Sequence, residues 1–208
     1  MPLQNRVLPD GRIIVSPARG TMMGNRGGEF HTREQTLARK HWRSKQWICC
    51  VLDFNGRRRQ LMQPHSYTEL FFLDEATALS AGHRPCFECR RAAADDFATR
   101  WNGLRDTPGR AMADDMDRVL HAERLDGTGA KRTYRAPIDA LADHVFIRDN
   151  SCGIARIAGP TLQSWSVDGY GAVLPKPQGV IVEVLTPPSI AAVLGAGYVP
   201  ALHTSATS

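Results

Sequence analysis

The feature that most constrains this chain is the segment Pro85-Cys86-Phe87-Glu88-Cys89, a Cys-x-x-Cys pair entered through a proline and followed directly by a helical pattern. Proline fixes the backbone just before the first cysteine. A tight turn there aims backbone N–H groups at the thiolate sulfurs, an environment suited to a tetrahedral Zn²⁺. Two cysteines supply half of such a shell, so the fold must bring further ligands from elsewhere. A redox Cys-x-x-Cys follows a strand in a βαβ pattern. Here the preceding pattern is a short helix opened by Asp74 and stopped by Gly82, so a metal is preferred over redox chemistry.

Cysteine usage agrees. The five cysteines are Cys49, Cys50, Cys86, Cys89 and Cys152. An odd, clustered set is not a secreted disulfide framework and fits a reducing compartment. Residues 1–11 are polar and carry no signal-peptide core. No run of about 18 apolar residues exists that could span a bilayer. The expectation is a cytoplasmic protein with no membrane partner. Cys152 stands alone and reads as a small core or loop residue.

The pattern around the motif predicts a sheet. Residues 47–54 (WICCVLDF) read as a strand, and Asn55-Gly56 as a hairpin turn. Residues 57–63 would be the return strand and 67–73 (YTELFFL) a third. Cys49 and Cys50 are neighbours on the first strand, so they point to opposite faces and only one can easily reach a common metal. Cys50 is preferred as third ligand, with Cys49 as its alternative. His65 and His41 are candidates for the fourth. A water in that position would leave an open, chemically competent site.

Downstream, helices are predicted over 90–101, with Ala93, Phe97 and Trp101 at four-residue spacing, and over 111–125, with Met112, Met116, Val119 and Leu120 on the apolar side. On the second helix Asp117 and His121 share a face at i, i+4, with Asp114 one turn earlier, a carboxylate–imidazole pair open to metal or proton chemistry. Strands are predicted over 145–147, 153–157, 162–165 and 180–185, and a last helix over 189–194 with Ser189 as N-cap.

Charge is uneven. Residues 1–60 hold 12 Lys/Arg and 4 Asp/Glu, whereas the other 148 hold 14 and 17. A basic first third suggests an anionic partner, nucleic acid foremost, with DNA favoured over RNA. Arg39, Lys40, Arg43 and Lys45, with Trp42 interleaved, and Arg57 and Arg59 beside the cysteine strand are the candidate phosphate contacts. The glycines around Asn25-Arg26 offer only a weak phosphate-loop pattern, because no P-loop lysine follows.

Phe71-Phe72-Leu73-Asp74-Glu75-Ala76 followed by Ala81-Gly82-His83-Arg84-Pro85-Cys86-Phe87-Glu88-Cys89 resembles the second half of the Ada-type zinc-binding domain. The likeness spans about residues 47–101. It implies a zinc module whose first ligands come from a strand and loop, and in which one cysteine can accept a methyl group from a DNA phosphotriester. The chain departs from that pattern, since Cys49 and Cys50 are adjacent rather than spaced Cys-x-x-x-Cys, which puts the methyl-acceptor activity in doubt. The fuller chain is similar to a bacterial family marked by MGNRG, YTELFFLDEA and GHRPC-x-EC segments, a likeness that implies no activity.

The resulting expectation is an α+β protein: a basic irregular arm (1–29), a zinc-knuckle module with a three-stranded antiparallel sheet plus helices (30–105), a helical connection (106–130) and a β-rich C-terminal domain (131–208). The expected function is zinc-stabilised nucleic-acid binding. The alternatives are an enzyme (a zinc-thiolate alkyl acceptor using Cys49 or Cys50, or a hydrolase using the Asp117/His121 helix) and a zinc-stabilised protein-interaction module.

Overall fold

The computed structural model describes residues 1–56 and 60–206. The expectations placed on Arg57, Arg58 and Arg59 therefore lie outside the described residues. In chain order the first half forms β1 (Gln4–Val7), β2 (Ile13–Val15), β3 (Met22–Arg26), β4 (Trp47–Val51), β5 (Leu70–Phe72), α1 (Glu75–Ser80) and β6 (Arg84–Pro85). The six strands make one mixed sheet in the order β2-β1-β5-β3-β4-β6.

The expected three-stranded sheet is thus larger, and the expected irregular arm supplies three of its strands. Gly20 and Gly24, which suggested a loop, are instead places of close backbone approach. A Cβ on Gly24 would collide with the carbonyl oxygen of Ile48 across the β3–β4 pair, and one on Gly20 with that of Phe72. Asn55 and Gly56 do turn, both with positive φ (55° and 65°). Yet the antiparallel partner of β4 is the upstream β3, with Gly24 opposite Cys49 and Met23 opposite Cys50. Residues 60–63 form no strand.

The second half forms α2 (Arg91–Gly103), α3 (Ala113–Arg124), β7 (Tyr134–Pro137), β8 (Phe146–Asp149), β9 (Gly153–Ala158), β10 (Thr161–Ser166), β11 (Gly169–Pro175), β12 (Ile181–Val184) and α4 (Pro188–Gly195). Its six strands make an antiparallel sheet in the order β11-β10-β9-β8-β12-β7. The architecture is α+β, with two sheets and four helices among the described residues. No helix among them is long and apolar enough to cross a membrane.

The main core joins Phe97 and Trp101 of α2 and Met116 and Leu120 of α3 to Ile147, Ile157, Leu162 and Val184 of the second sheet and Ile190 and Val193 of α4. Helix α3 is therefore part of the core rather than a free connection. Its buried face is Met116, Asp117, Leu120 and Arg124, while Met112 and Val119, expected there, are exposed. Ser189 does not cap α4. Pro188 holds the first helical position, and the Ser189 N–H and hydroxyl donate to Glu123 (2.9 and 2.6 Å).

Helix α1 is buried along its whole length and fastens the two halves. Asp74 caps it by accepting from Thr77 N–H (2.9 Å), and its second oxygen accepts from Tyr170 Oη of β11 (2.8 Å) and His203 N–H (3.1 Å). Glu75 accepts from Tyr198 Oη (2.6 Å), Ala201 N–H (2.8 Å) and Arg90 (2.5 Å). Each of these carboxylates is fully satisfied in the interior, as burial of a charge demands.

Candidate metal centre and basic cleft

Strand β4 reads Trp-Ile-Cys-Cys-Val, so its side chains alternate between faces. Cys49 enters the apolar cluster of Leu70, Phe72, Ala78 and Ala81 and is fully buried. Its sulfur accepts from the Arg90 guanidinium (3.7 Å). Burial pushes this thiol well above its ordinary range, with the Glu75 charge adding to the effect. A thiol so placed is a poor nucleophile.

Cys50 faces the other way. Short β6 runs parallel beside β4, pairing Ile48 with Arg84 and Cys49 with Pro85. The next step along both strands brings Cys50 and Cys86 together. The Cys86 N–H donates to the Cys49 carbonyl (3.0 Å), which locks that register. The chain then turns, Arg90 N–H donates back to the Cys86 carbonyl (3.0 Å), and Cys89 returns to the same point as α2 begins. The sulfurs of Cys50, Cys86 and Cys89 lie within 4.8 Å of one another.

This donor set suits a thiophilic cation. A zinc ion about 2.3 Å from each sulfur in a tetrahedral shell spaces its sulfurs by roughly 3.8 Å. The Glu88 N–H points at the Cys86 sulfur (3.4 Å), the arrangement expected of a knuckle that stabilises thiolate. A hydrogen bond from Cys50 lowers Cys86 below the ordinary thiol range, and the same bond raises Cys50. No fourth His, Cys, Asp or Glu joins the cluster among the described residues. None of the five residues outside them is of those types.

The other metal candidates do not converge here. His65 is exposed on a turn of positive φ (65°), with its N–H donated to Glu29 (3.3 Å). His41 lines a cleft with Trp47 and Arg26, away from the cysteine group. Asp117 and His121 separate. Asp117 is buried and bound bidentate by Arg84 (3.0 and 2.7 Å), whereas the His121 ring stands edge-on to Trp42 (4.6 Å) and contacts Arg124. The carboxylate needed by the hydrolase alternative is therefore already committed.

The basic candidates Arg39, Lys40, Arg43 and Lys45 are exposed on the long connection between β3 and β4. Arg39 and Lys40 form one wall of a cleft of about 880 Å³, and the Lys40 ammonium sits 3.4 Å from the Trp42 ring centre. Trp42 also lines this cleft, and Trp47 and Arg26 lie at its base. The sequence pattern did not mark Arg26, Trp47, Arg124 and Lys131 as a group. They come from four separate segments, and no local spacing links them. No protein-family model, curated protein or solved structure matches this chain.

Proposed function

We propose that the chain is a zinc-thiolate protein that binds nucleic acid through its basic first third. The observation that carries the metal half is the convergence of three sulfurs from two segments 36 residues apart, Cys50 on β4 and Cys86-x-x-Cys89 after β6. Zinc is the cation of choice for an all-thiolate set with no second, hard ligand. Held there it would tie β4 to the start of α2, so its binding free energy would add to folding free energy. The resemblance to the Ada-type module supports the same metal, with Cys50 as the strand ligand.

The nucleic-acid half is supported by the charge asymmetry and by the exposed Arg39, Lys40, Arg43 and Lys45 grouped around Trp42. Phosphate contacts of this kind release counterions, so affinity should fall steeply with salt. The test joins metal analysis with fluorescence-anisotropy titrations of oligonucleotides at several salt concentrations. About one zinc per chain, lost in Cys86→Ser, and salt-dependent binding weakened by Arg39→Glu with Lys40→Glu are expected. A metal-free, fully stable wild type would sink the first half. Binding no tighter than about 10⁻⁴ M at low salt would sink the second.

One observation favours a second reading. With three protein ligands, a zinc shell keeps a position for an outside ligand, the condition for chemistry rather than a closed structural site. A zinc-thiolate alkyl acceptor would then use Cys50 rather than the sealed Cys49. Mass spectrometry of Cys50 after exposure to a methyl phosphotriester would detect the transferred methyl group.

A further inference from the structure

The base of the cleft holds three cations, with Asp10 near Lys131 and Asp117 near Arg124 but no carboxylate in direct contact with any of them among the described residues. Arg26 is 3% exposed and Arg124 is 0% exposed. Both guanidinium carbons lie 4.0 Å from the Trp47 ring centre. The Lys131 ammonium, half-buried, donates to the Ser80 carbonyl (2.7 Å) beside them. Among the described residues no carboxylate pairs with any of the three. Their partners are neutral. Arg26 donates to the Gly11 carbonyl (2.9 Å) and to His83 Nε2 (3.4 Å). Arg124 donates to the carbonyls of Gly82 (2.8 Å) and Lys45 (2.6 Å), and its buried Nε has no partner.

The two acidic residues on the cleft wall are occupied. Asp10 is paired with Arg12 (2.8 Å) and Arg148 (3.5 Å). Asp126 accepts from the Thr128 and Ala130 N–H groups within its own turn (2.8 and 3.0 Å). Burying like charges together with no directly paired carboxylate is costly, and a ligand that completes the arrangement would relieve that cost. Burial lowers Arg26 to about 9 and Lys131 to about 7, in Lys131 against the opposing charge of Asp10. His83 is held neutral by the same burial and can accept from Arg26.

We infer that this cleft is a binding site for a phosphate monoester carried on a nucleotide, with the phosphoryl group held by Arg26 and Lys131 in the field of the buried Arg124. The depth of the cations selects the monoester. A nucleic-acid backbone lying across the surface meets exposed lysines and arginines, whereas only a single nucleotide or a strand end can push a phosphate down to buried groups. Guanidinium forks match phosphate oxygens. A volume of about 880 Å³ is within the range of small-molecule sites, and Trp42 gives the mouth an aromatic wall. The inference deepens the nucleic-acid reading by naming the group recognised, and it can also stand without it.

The test uses the full chain in phosphate-free buffer. Its probes are 3′-labelled DNA oligonucleotides with a 5′-phosphate or a 5′-hydroxyl, competed with AMP, adenosine and inorganic phosphate. The 5′-phosphorylated strand should bind roughly tenfold tighter or more, the size of one charge-assisted hydrogen bond. AMP and inorganic phosphate should compete and adenosine should not. Lys131→Met should erase the preference while melting no lower than wild type without ligand, because it removes an uncompensated charge; a merely structural lysine would lower the melting point. Lys131→Arg should keep the preference. Arg124 also braces two backbone carbonyls, so its loss risks the fold, and Lys131 is the informative site. Equal binding of both oligonucleotides with no competition by AMP overturns the inference and leaves the nucleic-acid reading standing. AMP binding seen directly by isothermal titration calorimetry, with no oligonucleotide binding, does the reverse. No binding of any probe overturns both.

Discussion

Replacing Cys49 and Cys50 one at a time by serine separates two roles that adjacent residues of one strand rarely divide so cleanly. Cys50→Ser removes one of three sulfurs from the candidate metal centre. A structural zinc site is worth roughly 10–16 kcal/mol of binding free energy, or about 2.5–4 kcal/mol for each of the four positions of a tetrahedral shell, three of them filled here by sulfur. Losing one thiolate should therefore raise the zinc dissociation constant by about 10²–10³-fold. Cys49→Ser leaves the donor set intact and places a hydroxyl in the cluster of Leu70, Phe72, Ala78 and Ala81. An imperfectly satisfied buried hydroxyl costs about 1–3 kcal/mol, and the nearby Arg90 guanidinium, now 3.7 Å from the sulfur, limits the penalty.

The assay is competition for zinc against a chromogenic chelator, with thermal melts recorded in the presence and absence of EDTA. Cys50→Ser should lose metal, and its melting point should become insensitive to EDTA. Cys49→Ser should melt lower than wild type while holding its zinc and its EDTA sensitivity. Equal loss of metal from both variants would refute the argument, because it would mean that β4 does not direct these two side chains to opposite faces.

The parts of the site readable from sequence were those with a local cause. Asp74 capping α1 and Gly82 closing it are set within a few residues, and the structure has them in place. Strand alternation allows only one of Cys49 and Cys50 to reach a common site without deciding which, and it is Cys50 whose sulfur lies with those of Cys86 and Cys89. What sequence did not show is pairing at a distance. Asn55-Gly56 has the dihedrals of a hairpin turn, but the pairing of β4 is decided by β3, whose glycines let two backbones approach. Spacing alone places Asp117 beside His121 on α3, whereas the partners that bury Asp117 and Arg124, Arg84 and the Gly82 carbonyl, lie more than 30 residues upstream. Periodicity registers apolar faces and is blind to a buried polar one. That is also why the cleft cations escaped notice while the exposed basic loop did not.

Three further outcomes follow from the same geometry. Asp117→Leu should destabilise the fold by about 3–5 kcal/mol by leaving buried Arg84 uncompensated, and combining it with Arg84→Met should recover most of that in a urea-denaturation double-mutant cycle; additivity of the two single changes would contradict the pairing. Gly24→Ala should cost about 1–3 kcal/mol by forcing β3 from the Ile48 carbonyl, and an unchanged urea midpoint would show that the contact has slack. The last concerns pH. Burial, reinforced by Arg26 and Arg124 and opposed by Asp10, lowers Lys131 from 10.5 to about 7 in the folded chain. Between those values the unfolded chain binds more protons than the folded one, so this lysine makes stability rise with pH from about 7 towards 10.5. Arg26, lowered to about 9, adds a similar rise at higher pH, and the neutral His83 facing both adds none there. The difference in urea midpoint between wild type and Lys131→Met isolates the lysine. It should be largest in favour of the variant at pH 7 and shrink by pH 10, and a phosphate-bearing ligand should shrink it at pH 7 as well, because the seated anion restores the ammonium its charge. A difference that is constant across the pH range would mean that Lys131 keeps its ordinary pKa and has water, not buried cations, for company.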